Sequence, residues 1–256
     1  MNITLLGILA GLLLLALPIA LMVRLRIPMI DKLLLAVGKM AGGLAALGLL
    51  LHWLVAANNL VLSLLFVIVL FVMAAFVAVA ESRQPRGRVL LPLLAGSALS
   101  VVVVSLWFLV LVMGLKNPFE ATKLIPVCGF MAAAVALTNG KALGTYYAGL
   151  YAHHQLYDYM IGNGATHAEA TAHFQRRAFE CAIAPLLGRM AMCVVPLGCF
   201  VAWTMILVGA TPLQAVLFEG LMVVAMLAAA VLSLFIAIVV GRRYAFDKYE
   251  QLKNKK

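Results

Sequence analysis

Charge is scarce in this sequence. Asp, Glu, Lys and Arg together make up 11% of its 256 residues, whereas a soluble domain carries about 25%. Such a chain cannot cover a surface facing water, which excludes an ordinary soluble globular fold. Acidic side chains are the rarest charges, nine against 19 Lys and Arg, for a formal charge of +10. That excess needs no nucleic-acid partner, because Lys and Arg collect on the cytoplasmic loops of membrane proteins. Cysteine is limited to Cys128, Cys181, Cys193 and Cys199. All lie in or beside apolar runs and none forms a CxxC, so no disulfide framework is expected. There is no Ser/His/Asp arrangement and no HExxH, which leaves a membrane enzyme with little support. A Walker A motif is missing too. The nearest string, "NGKA" at Asn139–Ala142, lacks the Ser or Thr after Lys and the earlier Gly.

What the sequence has is grease: 66% of residues are hydrophobic and the mean hydropathy is +1.11. A span needs roughly 20 apolar residues to cross about 30 Å of hydrocarbon. On that criterion the chain reads as an all-α polytopic membrane protein with about seven transmembrane helices, near 3–23, 34–56, 60–80, 89–114, 124–146, 182–208 and 214–240. The first has no basic leader region and runs past signal-peptide length, so it is expected to be a retained span. The fifth turns polar in "ALTNGKALGTYY" before it ends. No repeat or low-complexity linker divides residues 1–256, and a single domain is expected.

The loops alternate in positive charge. Arg24, Arg26 and Lys32 follow the first span, and "HWLVAANN" then carries neither Lys nor Arg. Arg83, Arg86 and Arg88 follow the third span. Lys116 and Lys123 stand against Glu120 after the fourth, the link from Lys141 to Arg177 is strongly polar, "GATP" at Gly209–Pro212 is uncharged, and the tail is basic. The alternation predicts an outside N-terminus, a cytoplasmic C-terminus and a cytoplasmic link between spans five and six.

That link holds "IGNGATHAEATAHFQRRAFE", Ile161–Glu180. A helix is expected to leave the bilayer through Leu137–Met160 and to break at Gly162–Gly164. Thr166 with Glu169 three residues on forms a capping-box pattern, so a new helix starts there and returns to the membrane. Two readings are open: a solvated cytoplasmic loop, or a small, Ala-rich helix with basic ends that docks in a groove of a soluble partner.

The second half, from about Leu124 to Tyr244, resembles the permeases of the bacterial iron-export ABC transporters (the FetB/YbbM type, related to the plant aluminium-sensitivity permease). The resemblance rests on the order and spacing of Ile125-Pro126 with Gly129, Gly164-Ala165-Thr166, Arg176, Ala184-Pro185 and Gly209-Ala210-Thr211-Pro212. The first half is similar only loosely, around "IDKLLLAVGKMAGG". The resemblance implies that the region of about 150–181 is a coupling-helix hairpin whose Gly164, Ala165, Thr166, Glu169, Arg176 and Arg177 sit in a cleft of an ATPase subunit. It implies a bacterial cytoplasmic (inner) membrane location, no cofactor in this chain, ATP and Mg on the ATPase partner, and a second permease copy, as a homodimer or with a related permease. The expected cargo is a metal ion, iron-like, or a small solute. A non-transporting membrane scaffold that holds a soluble partner is the alternative.

Polar groups at membrane depth are suspects for the solute path. Glu219 lies in "LQAVLFEGLMVVAML" with Met222, Val223 and Met226 on its helical face. It reads either as a path residue or as an interfacial carboxylate that reaches outward. Met192, Cys193 and Cys199 are soft donors suited to soft metals, and equally ordinary packing residues. Arg189 is expected to snorkel to the cytoplasmic boundary. His153-His154 with Tyr157 and Asp158 read as a solvated helix face or a metal or pH site, and His52 as interfacial. The chain departs from the family pattern here. Gly188 stands where an acid is expected, Leu197–Val201 where Leu-Pro-Gly-Met-Met is expected, Ala133-Ala134 where Gly-Asn is expected, and Glu219 where an amide is usual.

Overall fold

The computed structural model describes residue 13 and residues 15–25, 30–57, 59–195 and 198–246. Two compact units emerge, Met1–Ala57 and Asn58–Lys256. The first contains α1 (Ala16–Arg24) and α2 (Ile30–Ala57). Asp31 in the first turn of α2 complements the positive end of the helix dipole.

The second unit contains α3 (Leu60–Ser82), α4 (Arg86–Trp107), α5 (Ala121–Ala152), α6 (His154–Gly162), α7 (His167–Met192), α8 (Phe200–Val208) and α9 (Pro212–Ala245). Asn59 caps α3 by accepting the Val61 N–H at 3.0 Å. Pro212 opens α9 at a position where its missing N–H costs nothing. The last turns of α4 widen into a π-helix at Phe108–Val112, where the Met113 N–H donates to the Phe108 carbonyl at 2.9 Å.

Five helical stretches are long and apolar enough to cross a membrane: Ile30–Ala57, Leu60–Ser82, Arg86–Val112, Ala121–Ala152 and Pro212–Ala245. They correspond to the second, third, fourth, fifth and seventh expected spans, so a count of seven is not found among the described residues. The first expected span falls largely outside those residues, as do Arg26 and the basic tail after Phe246. The sixth, 182–208, is not one helix. It is divided between the end of α7 and α8, and the nine residues of α8 fall well short of the roughly 20 a crossing needs.

Inside the second unit the pattern of a soluble protein is reversed. Small side chains fill the contacts, and large apolar ones, among them Leu65, Ile68, Met73 and Phe76 of α3, are exposed. In lipid no hydrophobic force draws helices together, so association relies on close packing of small residues. The α3–α5 contact shows it. Ala74, Ala78 and Ser82 of α3 meet Ala132, Ala136, Gly140 and Gly144 of α5. The last four recur at every fourth position, which puts them on one face. A Cβ on Gly140 would run into the Ala78 carbonyl and lie 2.9 Å from Ala78 Cα. One on Gly144 would lie 2.6 Å from the Ser82 carbonyl. The polar stretch "ALTNGKALGTYY" thus makes α5 the most buried of the five spans, because its glycines allow the approach and its Thr138 and Asn139 face the interior.

Helices α4 and α9 pack closely as well. A Cβ on Gly96 would lie 2.5 Å from the Ser233 carbonyl. Two cores result. One joins Val67, Phe108, Met131 and Met222; the other joins Leu143, Tyr147, Phe174 and Leu234. Arg88 of α4 donates to the Tyr151 hydroxyl of α5 beside the second core.

Candidate functional site

Two features stand at opposite ends of α7. At its N-terminus is the polar turn. The helix leaving α5 ends earlier than the sequence suggests. It breaks at His153 (φ −119°, ψ 34°) and restarts as α6. The second break, at 163–166, is built from two interlocking motifs. Gly164 has φ +87°, a left-handed conformation that favours glycine. Its N–H donates to Ile161 O at 3.0 Å, and the Ala165 N–H donates to Met160 O at 3.0 Å, the two bonds of a Schellman stop. Thr166 then starts α7. Its N–H and hydroxyl donate to Glu169 Oε2 at 2.8 and 2.7 Å, and the Glu169 N–H returns to Thr166 Oγ1 at 3.4 Å. Those bonds hold the Glu169 carboxyl below its ordinary pKa, the Thr166 hydroxyl contributing most and the Thr166 backbone next.

The first turns of α7 are two-faced. His167, Ala170, Thr171, Phe174, Ala178 and Ala182 are buried, whereas Glu169, Arg176 and Arg177 are exposed. Contacts pair Gly149 with Phe174 and Thr145 with Cys181, so α7 runs antiparallel to α5. Tyr157 of α6 hydrogen-bonds His167 Nδ1 at 3.0 Å, and the His167 ring meets Phe246 edge-on at a centroid distance of 4.5 Å. His153 stacks on Phe174 and His154 contacts the Tyr151 carbonyl at 3.2 Å, so the adjacent histidines have separate neighbours.

The Thr166–Glu169 box makes a testable cap. Because the folded pKa of Glu169 is depressed, its contribution is present above the unfolded value, about 4.3, and is lost as pH falls through the folded one. Thr166→Ala is expected to cost about 1 kcal/mol. Hydrogen exchange should show faster opening of the first turn of α7 in this variant at pH 7. In the parent chain the same opening should appear only on acidification below about pH 4.

At the far end of α7 lies a cavity of about 500 Å³ between α5, α7, α8 and α9. It contains Glu219, Met192 and Met222 of the expected path residues. Glu219 is 6% exposed, and its Oε2 accepts the Ala202 N–H at 2.9 Å. Ala202 is the third residue of α8, whose N-cap, Cys199, makes no side-chain capping bond. The carboxylate of α9 therefore caps α8 from outside, supplying an acceptor to one of its orphan donors and a negative charge to its positive end. Cys193 and Cys199 do not line the cavity. They flank the break between α7 and α8, with Cys199 Sγ 3.7 Å from the Cys193 carbonyl. The return from that break is tight: a Cβ on Gly198 would collide with the Met192 carbonyl.

The sequence reading missed two wall residues. Arg189 lines the cavity instead of serving only a boundary, and Nη1 donates to Met226 Sδ at 3.7 Å. Phe130 of α5 forms the opposite apolar wall. The signal for Arg189 was its spacing: it lies three residues before Met192, one helical turn away and on the same face. Among the described residues no group of three or more His, Cys, Asp or Glu converges as a metal-binding cluster.

Five apolar helices with large apolar side chains turned outward define a multi-pass membrane protein. The model of the uncharacterised protein family UPF0014 matches residues 5–246, and the chain belongs to that family. No curated protein and no solved structure matches it.

Proposed function

We propose that this chain is the membrane-spanning permease subunit of an ABC transporter, moving a small solute or a metal ion with ATP hydrolysed, with Mg, on a separate subunit. The observation that carries this reading is α7 itself. One helix of 26 residues, about 39 Å long at 1.5 Å per residue, begins directly after the Gly164–Thr166 turn, carries Glu169, Arg176 and Arg177 on its exposed face and ends at the cavity at Met192. A displacement imposed on the first turns is carried along this one helix to the cavity, past Pro185, whose missing N–H removes one hydrogen bond of the helix. In this reading Gly164, Ala165 and Thr166 fix the turn and Glu169 holds it. Arg176 and Arg177 meet the ATPase, and Glu219 with Met192 and Met222 faces the solute, with Cys193 and Cys199 at the adjoining break. The UPF0014 family is linked to membrane components of ABC transporters, in agreement with this assignment.

The proposal includes a bacterial cytoplasmic membrane location, the N-terminus outside, and a second permease copy, since ABC transporters work with two membrane halves. Loop charge supports the orientation: Arg83, Arg86 and Arg88 fall at the same end of the second unit as the α6–α7 turn, next to Tyr151. Purification of the native complex tests the reading: an ATPase subunit is expected to accompany the chain, and its absence would remove the basis for a transporter. A scaffold that merely holds a partner predicts binding without solute-stimulated ATP hydrolysis.

A further inference from the structure

The cavity at the end of α7 is lined by an exposed cation and a buried carboxylate that make no direct ion pair with one another. Arg189 and Glu219 both line it. The ion pairs among the described residues are Lys123–Glu120 and Lys141–Glu81, so no such pair joins Arg189 to Glu219. Glu219 spends Oε2 on the Ala202 N–H. The hydrogen bond of Arg189 is to a thioether, a weak acceptor. Around these two charges the walls are apolar and soft: Phe130, Phe200, Met192, Met222 and Met226. A volume of about 500 Å³ lies in the range of small-molecule sites, roughly 300–1,000 Å³.

We propose that this cavity binds a small zwitterion with an apolar body, of the α-amino-acid type, its carboxylate on Arg189 and its ammonium on Glu219. The proposal rests on the cavity being the solute site of the permease and names the class of solute. Charge logic selects it. A bare metal cation meets Glu219 but is repelled by Arg189. A simple anion meets Arg189 but is repelled by Glu219. A zwitterion brings a partner to each, one at the buried Glu219 and one at the exposed Arg189. The guanidinium suits a carboxylate because its fork matches both oxygens. Thioether and aromatic walls suit an apolar or aromatic side chain.

The test is calorimetric titration of the full chain in lipid nanodiscs with three probes that share one ring: L-phenylalanine, phenethylamine, which keeps only the ammonium, and 3-phenylpropanoate, which keeps only the carboxylate. The zwitterion is expected to bind at least tenfold more tightly than either analogue. Arg189→Gln should abolish its advantage over phenethylamine, and Glu219→Gln its advantage over 3-phenylpropanoate. The amide of Glu219→Gln still accepts the Ala202 N–H, which keeps α8 capped while the charge is removed. Binding of all three probes within twofold, or binding of none at millimolar concentration, overturns the proposal. So does ferrous iron binding that Arg189→Gln strengthens and Glu219→Gln abolishes. The outcomes separate from those of the permease reading: charge-matched binding without any associated ATPase sinks the transporter and keeps the ligand class, and an associated, active ATPase with no charge preference does the reverse.

Discussion

Replacing Gly140 by Leu is expected to be the most damaging single change in the membrane-embedded part of the chain. A side chain at this position enters the backbone of α3 at Ala78, with the Glu81 Cβ also 2.9 Å from the first added carbon. Neither obstacle is the movable end of a long side chain, so relief requires the helices to part. Overpacking of a core costs about 1–3 kcal/mol, and here separation also forfeits the small-residue contact at Ala74, Ala132 and Ala136. In detergent, thermal unfolding followed by circular dichroism should shift down by many degrees or the protein should fail to accumulate. Gly188→Leu is the matched control. A Cβ added at Gly188 would have nothing within 4 Å, and that variant should unfold close to the parent. Equal behaviour of the two would mean that the α3–α5 approach does not hold the bundle.

Glu219→Leu should have the second largest effect, and it separates two roles of one carboxylate. Leu removes the acceptor of the Ala202 N–H, leaving a buried donor unsatisfied at a cost of about 1–3 kcal/mol. It also removes the negative charge of the cavity. Glu219→Gln removes the charge alone. The expected pattern is a lowered unfolding temperature for Leu, a near-parental one for Gln, and loss of solute transport into vesicles for both. If Gln is as unstable as Leu, the negative charge at the α8 N-terminus matters more than the hydrogen bond. If Gln transports normally, the carboxylate is a structural cap and no part of the path.

Legibility in the sequence follows the range of the interactions. The capping box of Thr166 and Glu169 is local, set by a spacing of three, and it is present. The stop at Gly164 was visible as a glycine cluster for the same reason. The break at His153 has no such signature, since "YAHHQLY" carries neither Gly nor Pro, and tertiary contacts of His153 with Phe174 and of Tyr157 with His167 accompany it. Long-range pairings were invisible. Hydropathy marked Glu219 as an oddity at membrane depth but did not reveal that it caps a helix 17 positions earlier in the chain. Hydropathy also misjudged residues 136–147, because it scores Gly and Asn as polar and ignores that small residues let helices approach. The division of 182–208 followed from the same limitation: an apolar window reports greasiness, and the backbone turn near Gly198 leaves that unchanged.

The central claim is that the exposed face at the start of α7 transmits ATP hydrolysis on another subunit to the cavity. The direct measurement is ATP hydrolysis and solute uptake by the purified complex in vesicles, with the parent chain and with Arg176→Glu/Arg177→Glu. Both arginines are exposed, so the charge reversal should leave the chain folded. The account predicts an ATPase that co-purifies with the parent chain, hydrolyses ATP faster in the presence of transported solute, and is lost or uncoupled in the double variant. Retention of the ATPase with undiminished solute-stimulated hydrolysis in the double variant would contradict it.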